Sequence, residues 1–221
     1  MFSATHIGRE HLRLGRNNQD GHFASAAVIV VTDGCGSQPG SEVGAQLGAR
    51  FLGEWLSAQP PSAIDAHTPE RAISALCDFL AATARALGGD WRDNLERFFL
   101  FTVLAAVRFD ERALVFGLGD GAVLVDERLT RLESGPDNAP YYCAYRLTAA
   151  EGSRQPVQVH HLGPAGRVAV MSDGLDKLDP VRLRALVELD VLKNRLTLQR
   201  RLNVLAETER FTDDATLAVL C

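Results

Sequence analysis

The sequence has no uninterrupted apolar stretch near the ~20 residues that a membrane-spanning helix needs. It opens "MFSATHIGREHLRLGRNNQD", where no basic stretch leads into an apolar one, so a secretion signal is not expected. No basic run suits a nucleic-acid backbone. The 28 acidic residues outnumber the 23 basic ones for a formal charge of -5, and the basic residues are scattered or sit on predicted helices, as in "RRL" at 200–202. Cysteine is sparse: Cys35, Cys77, Cys143 and Cys221 lie far apart and form no C-x-x-C pair. That spacing disfavours a zinc site and favours a reducing compartment. The absence of a G-x-S-x-G elbow and of a G-K-[ST] loop argues against a serine hydrolase and a nucleotide-binding motor. Internal repeats and low-complexity tracts are also lacking. The expectation is a cytoplasmic protein with neither nucleic acid nor membrane as a partner.

What is present fits one domain spanning 1–221. At 221 residues, 46% apolar and 23% charged, the chain can bury a substantial core but is short for two. An apolar run at about 23–32 predicts a core strand. "SEVGAQLGARFLGEWLSAQ" follows, with Val43, Leu47, Phe51, Leu52, Trp55 and Leu56 at helical spacing and Ser41 as the expected N-cap. After "AQPPSAIDAH", Thr68 and Pro69 open a second helix that Gly88-Gly89 ends. Strand-like runs follow at 97–109, 113–120 and 121–127, separated by turns too short for crossover helices, so the pairing is expected to be antiparallel. Residues 133–156 read as a long loop or flap with room for one strand. A further strand, "RVAVMS", precedes helical segments in "DPVRLRALVELDVL" and "LQRRLNVLAET", and "DDATLAVLC" ends the chain as a strand. The fold class is α+β, with helices packed on sheet faces.

Two strands end alike, in Thr32-Asp33-Gly34 and in Ser172-Asp173-Gly174. An Asp-Gly pair is a common turn dipeptide, so each alone is either a turn or a placed carboxylate. Two more aspartates stand at strand boundaries: Asp20 before the first strand and Asp213 at the start of the last. Aspartate is depleted in strands, and several carboxylates gathered at one sheet end would repel unless a cation compensated them. An all-oxygen set matches Mg²⁺ or Mn²⁺. Two such ions about 3.5–4 Å apart can generate hydroxide and stabilise displacement at phosphorus. Glycine after each aspartate is expected to allow unusual backbone angles and to leave its carbonyl open to a ligand.

The ordered succession "NNQD … VVTDGCGS … GLGDG … VMSDGL … DDATL" resembles the metal-dependent protein phosphatase 2C family, in particular its small bacterial branch. The resemblance runs from about residue 5 to 221. It implies a four-layer αββα sandwich with two antiparallel sheets, and a binuclear Mn²⁺ or Mg²⁺ centre at one end of the sheets. The implied activity is hydrolysis of phosphoserine and phosphothreonine in proteins by a metal-activated hydroxide, without a covalent intermediate. Carried over by position, Asp33 bridges both metals and the Gly34 carbonyl binds one. Asp173 and Asp213 hold one metal, and Asp20 acts from the other side of the centre. Asp33, Asp173 and Asp20 are the catalytic set. Asp120 of "GLGDG" and Asp176 are the candidates for a third, weaker metal. A separate Ser/Thr kinase is the implied counterpart.

The chain departs from the family pattern in places. The arginine that holds the substrate phosphate falls at Gly15 here, which leaves Arg16 and Arg13 as candidates. Cys35 replaces the histidine found after Asp-Gly in eukaryotic members, and a thiol with a pKa near 8.5 is a poor general acid. Gln19 replaces the common glutamate. Asp176 lies three residues after Asp173, where many relatives carry an acid four residues on, at Lys177. These departures keep open a non-hydrolysing relative that binds phosphoproteins or a kinase, and a phosphatase for a small molecule. The six histidines are expected on the surface or in the core; for His11, which precedes the "GRNNQD" loop, orienting that loop is the lesser alternative. Cys35 fits either an oxidation-sensitive thiol or a small packing residue. Ser37 and Ser41 are hydrogen-bonding supports or caps. Tyr141, Tyr142 and Tyr145 fit a substrate-facing flap as well as a core.

Overall fold

The computed structural model describes residues 2–135, 139–148, 154–188 and 194–221. Two five-stranded antiparallel sheets face each other. One has the order β1 (Phe2–His6), β10 (Ala215–Leu220), β9 (Val168–Met171), β6 (Gly121–Val125), β7 (Arg128–Leu132). The other runs β2 (Gly21–Ala24), β3 (Val28–Gly34), β4 (Phe101–Phe109), β5 (Arg112–Leu118), β8 (Gln158–Pro164). Seven helices are described: α1 (Arg9–Leu14), α2 (Ser41–Ser57), α3 (Thr68–Ala86), α4 (Trp91–Phe98), α5 (Tyr145–Thr148), α6 (Pro180–Leu186) and α7 (Arg195–Glu209).

The continuous apolar runs follow from this layering. A strand's side chains alternate between faces, and each central strand here is covered on both. In β3, Val28 and Val30 pack with the α2–α3 layer, while Ile29 and Val31 point into the space between the sheets. In β10, Leu217 and Val219 pack with the α6–α7 layer, and Ala218 and Leu220 meet the opposing sheet. Each such large side chain, fully buried, contributes about 1.5–3 kcal/mol. The result is the αββα sandwich.

Several elements differ from the sequence reading. The first predicted strand is two strands, β2 and β3, joined by a turn in which Ser25 N–H donates to the Val28 carbonyl at 2.8 Å. The strand expected at 97–109 starts at Phe101, because residues 97 and 98 finish α4, whose N-terminus is capped by the Asp90 carboxylate. The apolar face expected for α2 is displaced. Val43 and Leu47 are 46% and 40% exposed, whereas Gly44, Ala45, Gly48, Ala49, Leu52, Gly53 and Leu56 are buried. Small residues let the helix lie close on the sheet, which outweighs the burial of two larger side chains. The helix expected from 179 stops at Leu186, and its expected continuation at 189–192 lies outside the described residues. Of the expected flap, 136–138 and 149–153 lie outside the described residues; the rest contains α5 and, among its described residues, no strand. β1, β7, β8, α1 and α4 are short or polar enough that the pattern did not mark them.

Candidate metal centre

Where β3 of one sheet faces β9 of the other, both strands deliver their terminal aspartates to one point. Asp33 is the sixth residue of β3, opposite Thr102 of β4, and Asp173 opens a 3-10 turn directly after β9. A cleft of about 150 Å³ opens there, lined by Asp33, Gly34, Asp120, Asp173 and Asp213, with Gly36, Thr102, Pro140 and Tyr142 completing its wall. Asp120 arrives from the turn between β5 and β6, and Asp213 from the residues before β10. Four aspartates and Gly34 therefore line the same small space, and among the described residues no lysine or arginine lines it.

Asp20 sits just behind, at the start of β2. The Ser172 hydroxyl donates to its Oδ2 at 2.9 Å, while its Oδ1 is buried and has no hydrogen-bond partner. Asp176 Oδ1 is in the same condition. Burial pushes the Asp20 carboxyl up to about 8, and the charges of Asp214 and Asp213 add to this. Burial again, with the charges of Asp20, Asp173 and Asp213, raises Asp33 well above the carboxylate range. Asp173 rises to about 6, first from burial and then from the charges of Asp120 and Asp213, with Lys177 opposing. Burial and then Asp173 raise Asp176 to about 6. Asp120 is raised by burial despite a 2.5 Å hydrogen bond from Ser134. Charges crowded in this way need a cation to ionise together. The donors are all oxygen, which suits a hard divalent ion, and the unpartnered Asp20 Oδ1 is an acceptor with nothing yet to accept from.

The two glycines after the aspartates act differently from expectation. Neither Gly34 nor Gly174 has a positive φ. A Cβ on Gly34 would lie 2.5 Å from the Gln19 carbonyl, and one on Gly174 would lie 1.9 Å from that of Asp214. Glycine is needed because neighbouring backbone passes too closely.

Of the two arginine candidates, Arg16 reaches the rim, where its guanidinium donates to the carbonyl of Gly36. Arg13 is exposed on α1 and makes no described contact with the cleft. Ser41 does not cap α2 with its side chain, the N-cap residue being Gly40. Its hydroxyl donates to the Cys35 carbonyl at 3.1 Å and accepts from Gln19 at 2.7 Å, which braces the loop after Asp33. The Tyr142 hydroxyl is pushed up first by burial and then by the neighbouring Cys35 thiol. Asp213 is exposed, in contrast to the other carboxylates of the cleft.

Sequence reasoning passed over Asp214. It is buried, and it accepts from Gly8 N–H at 2.7 Å, from Gln19 N–H at 2.6 Å and from His11 Nδ1 at 2.8 Å. Ligand atoms of His11, Asp213 and Asp214 lie within 4.8 Å of one another, but these three donors already engage both Asp214 oxygens, so the group works as a clamp. His11 thereby orients the loop that carries Asp20. The doubled aspartate of "TDDAT" was the available signal.

The family model described as Protein phosphatase 2C matches residues 7–217. No curated protein sequence matches the chain. Among solved structures, the serine/threonine phosphatase Stp1 from Staphylococcus aureus aligns at a TM-score of 0.69 and 16% identity, covering 98% of this chain and 92% of that one. The Mycobacterium tuberculosis serine/threonine phosphatase PstP/Ppp aligns at 0.68 and 22% identity, covering 98% and 96%. The catalytic domain of the serine/threonine protein phosphatase PstP in complex with two manganese ions aligns at 0.63 and 17% identity, covering 99% and 97%. At these identities the structures establish the shared fold.

Proposed function

The chain belongs to the protein phosphatase 2C family, and from that premise we propose that it is a metal-dependent serine/threonine protein phosphatase, a single catalytic domain over 1–221. The observation that carries the reading is the convergence of Asp33, Asp120, Asp173 and Asp213 on one cleft, with the unpartnered Asp20 oxygen behind it. Asp33, the Gly34 carbonyl, Asp173 and Asp213, with Asp20, would hold two Mn²⁺ or Mg²⁺ ions, and Asp120 with Asp176 a third. Such ions supply an activated water and neutralise charge on the transferred phosphoryl group.

The rest is done by the chain. Ser172 and the loop held by Asp214 fix Asp20. The pairing of Asp33 with Thr102 of β4 and the turn that carries Asp173 hold the two strand-end carboxylates in one geometry, an arrangement that lowers barriers by preorganisation. Arg16, at the rim, would receive the substrate phosphate, a role favoured over Arg13 because Arg13 makes no described contact with the cleft. Pro140 and Tyr142 form the wall that a peptide would pass. The partners are then proteins carrying phosphoserine or phosphothreonine, made by a separate kinase. A cytoplasmic location is part of this proposal; no helix among the described residues is long and apolar enough alone to cross a membrane.

The test is hydrolysis of p-nitrophenyl phosphate and of a phosphothreonine peptide with EDTA, Mg²⁺ or Mn²⁺. Turnover should require metal and fall roughly a hundredfold or more in Asp173→Asn. Metal binding without turnover on either substrate would replace this reading with that of a phosphoprotein-binding relative.

A further inference from the structure

Cys77 and Cys143 are 66 residues apart in sequence and have no spacing motif, yet their sulfurs lie 3.8 Å apart. Both are free thiols and both are buried. Cys77 is on α3. Cys143 directly follows Tyr142 of the cleft wall and precedes α5. A disulfide needs sulfurs about 2 Å apart, so closing this pair takes a displacement of under about 2 Å, within the reach of side-chain rotation.

The pair is also reachable. A cavity of about 290 Å³ opens beside it, lined by Cys77, Ser74, Leu147, the arginines Arg146 and Arg154, and the carboxylates Glu70 and Asp78. Paired positive and negative groups suit a small zwitterionic molecule. Cys77 is the thiol that faces this cavity, and its pKa is lowered, first by the hydrogen bond with Cys143 and then, against burial, by Arg146. Thiolate is the reactive form.

We propose that Cys77 and Cys143 form a redox modification site that takes a low-molecular-weight disulfide and whose oxidised form ties the Pro140–Tyr142 wall of the cleft to α3. The Cys77 thiolate attacks one sulfur of the small disulfide, breaking its S–S bond. This forms a mixed disulfide and releases a thiolate that takes up the proton Cys77 gave. Cys143 then loses its proton and attacks the Cys77 sulfur, expelling the second small thiol, which carries that proton away. Two protein thiols are oxidised and one small disulfide is reduced to two thiols.

The segment to be tied is already held in two places. Cys143 N–H donates to the Phe101 carbonyl at 3.1 Å, next to Thr102 of the cleft wall. Glu70 of α3 accepts from Arg146 at 2.7 Å and from Val157 N–H at 3.0 Å, gripping both sides of the flap. A covalent bond added between these anchors leaves Tyr142 little freedom to yield to a bulky substrate.

The kinetic half of the proposal rests on the phosphatase reading, and the chemical half does not. The full chain is treated with glutathione disulfide and mapped by non-reducing peptide mass spectrometry. A Cys77–Cys143 linked peptide is expected in the parent and in Cys221→Ser, is absent from Cys77→Ala and Cys143→Ala, and is reversed by dithiothreitol. A raised Tm of the oxidised parent is the second expected sign, since the bridge constrains the unfolded chain. Mixed disulfides that persist on Cys77 without linkage, or linkage through Cys35 instead, would overturn the site. On the phosphothreonine peptide the oxidised form should show a KM raised roughly threefold or more, with a smaller change on p-nitrophenyl phosphate. Linkage with KM unchanged on both substrates would overturn its connection to the cleft. A chain that links but hydrolyses neither substrate in either redox state counts against the phosphatase reading alone.

Discussion

Asp214 brings three distant points of the chain to one carboxylate: Gly8, His11 and Gln19 all donate to it, across more than 190 residues of sequence. All three donors are buried in this contact, so removing the acceptor leaves them unsatisfied, at a cost of about 3 kcal/mol. Urea unfolding of Asp214→Ala should show a midpoint lowered accordingly, and Asp214→Asn, which keeps one acceptor oxygen, should recover part of the loss. Equal midpoints for Ala and parent would remove the clamp from the account. Asp213, its neighbour, is exposed and faces the cleft, so one dipeptide divides into a structural and a candidate ligand residue. The sequence marked Asp213 from its place at a strand start. It could not mark Asp214, whose importance lies in partners that only folding brings near.

At the scale of the element, α2 shows where helical periodicity misleads. Counting apolar residues selected Val43 and Leu47 along with Leu52 and Leu56; the last two are buried, but in its first half the helix buries Gly44, Ala45, Gly48 and Ala49 rather than Val43 and Leu47, because that side allows the axis to approach β3 and β4. A Cβ on Gly44 would lie 1.9 Å from the Phe98 carbonyl, a backbone atom that cannot swing aside. Helix propensity alone makes Gly44→Ala stabilising by about 1 kcal/mol. The contact reverses the sign, and a net loss of roughly 2 kcal/mol is expected from overpacking. A thermal melt decides between them: a Tm above the parent's would mean that α2 sits less tightly than described. The Asp-Gly turns follow the same logic. Glycine was legible there, but its reason was not, since close approach by Gln19 and Asp214 replaces the unusual backbone angles that the dipeptide suggested.

Across the whole molecule, the gathering of carboxylates couples stability to pH and to metal. Asp20 is raised to about 8, and Asp173 and Asp176 to about 6, from the ordinary carboxyl value of 3.8. A carboxyl whose folded pKa is raised favours the folded state while protonated. That stability is complete below the unfolded pKa and is lost as pH rises through the folded values. Metal-free protein in EDTA should therefore lose Tm between about pH 5 and about pH 8.5, and Mn²⁺ should restore it most at the alkaline end. A Tm that rises with pH in EDTA would show that the crowding is relieved some other way. The sequence by itself determined the order of motifs, the aspartates at strand ends and the antiparallel α+β class, because β-branched runs, short turns and Asp-Gly pairs are local patterns. It also determined Asp33 and Asp173 as a pair of like strand ends. Only the tertiary structure decided that β3 and β9 face each other so that those ends meet, that Arg16 rather than Arg13 reaches the rim, and that Cys77 and Cys143 touch. Each of these is a contact between residues far apart in sequence, fixed by how the sheets stack and by which helix face can come close.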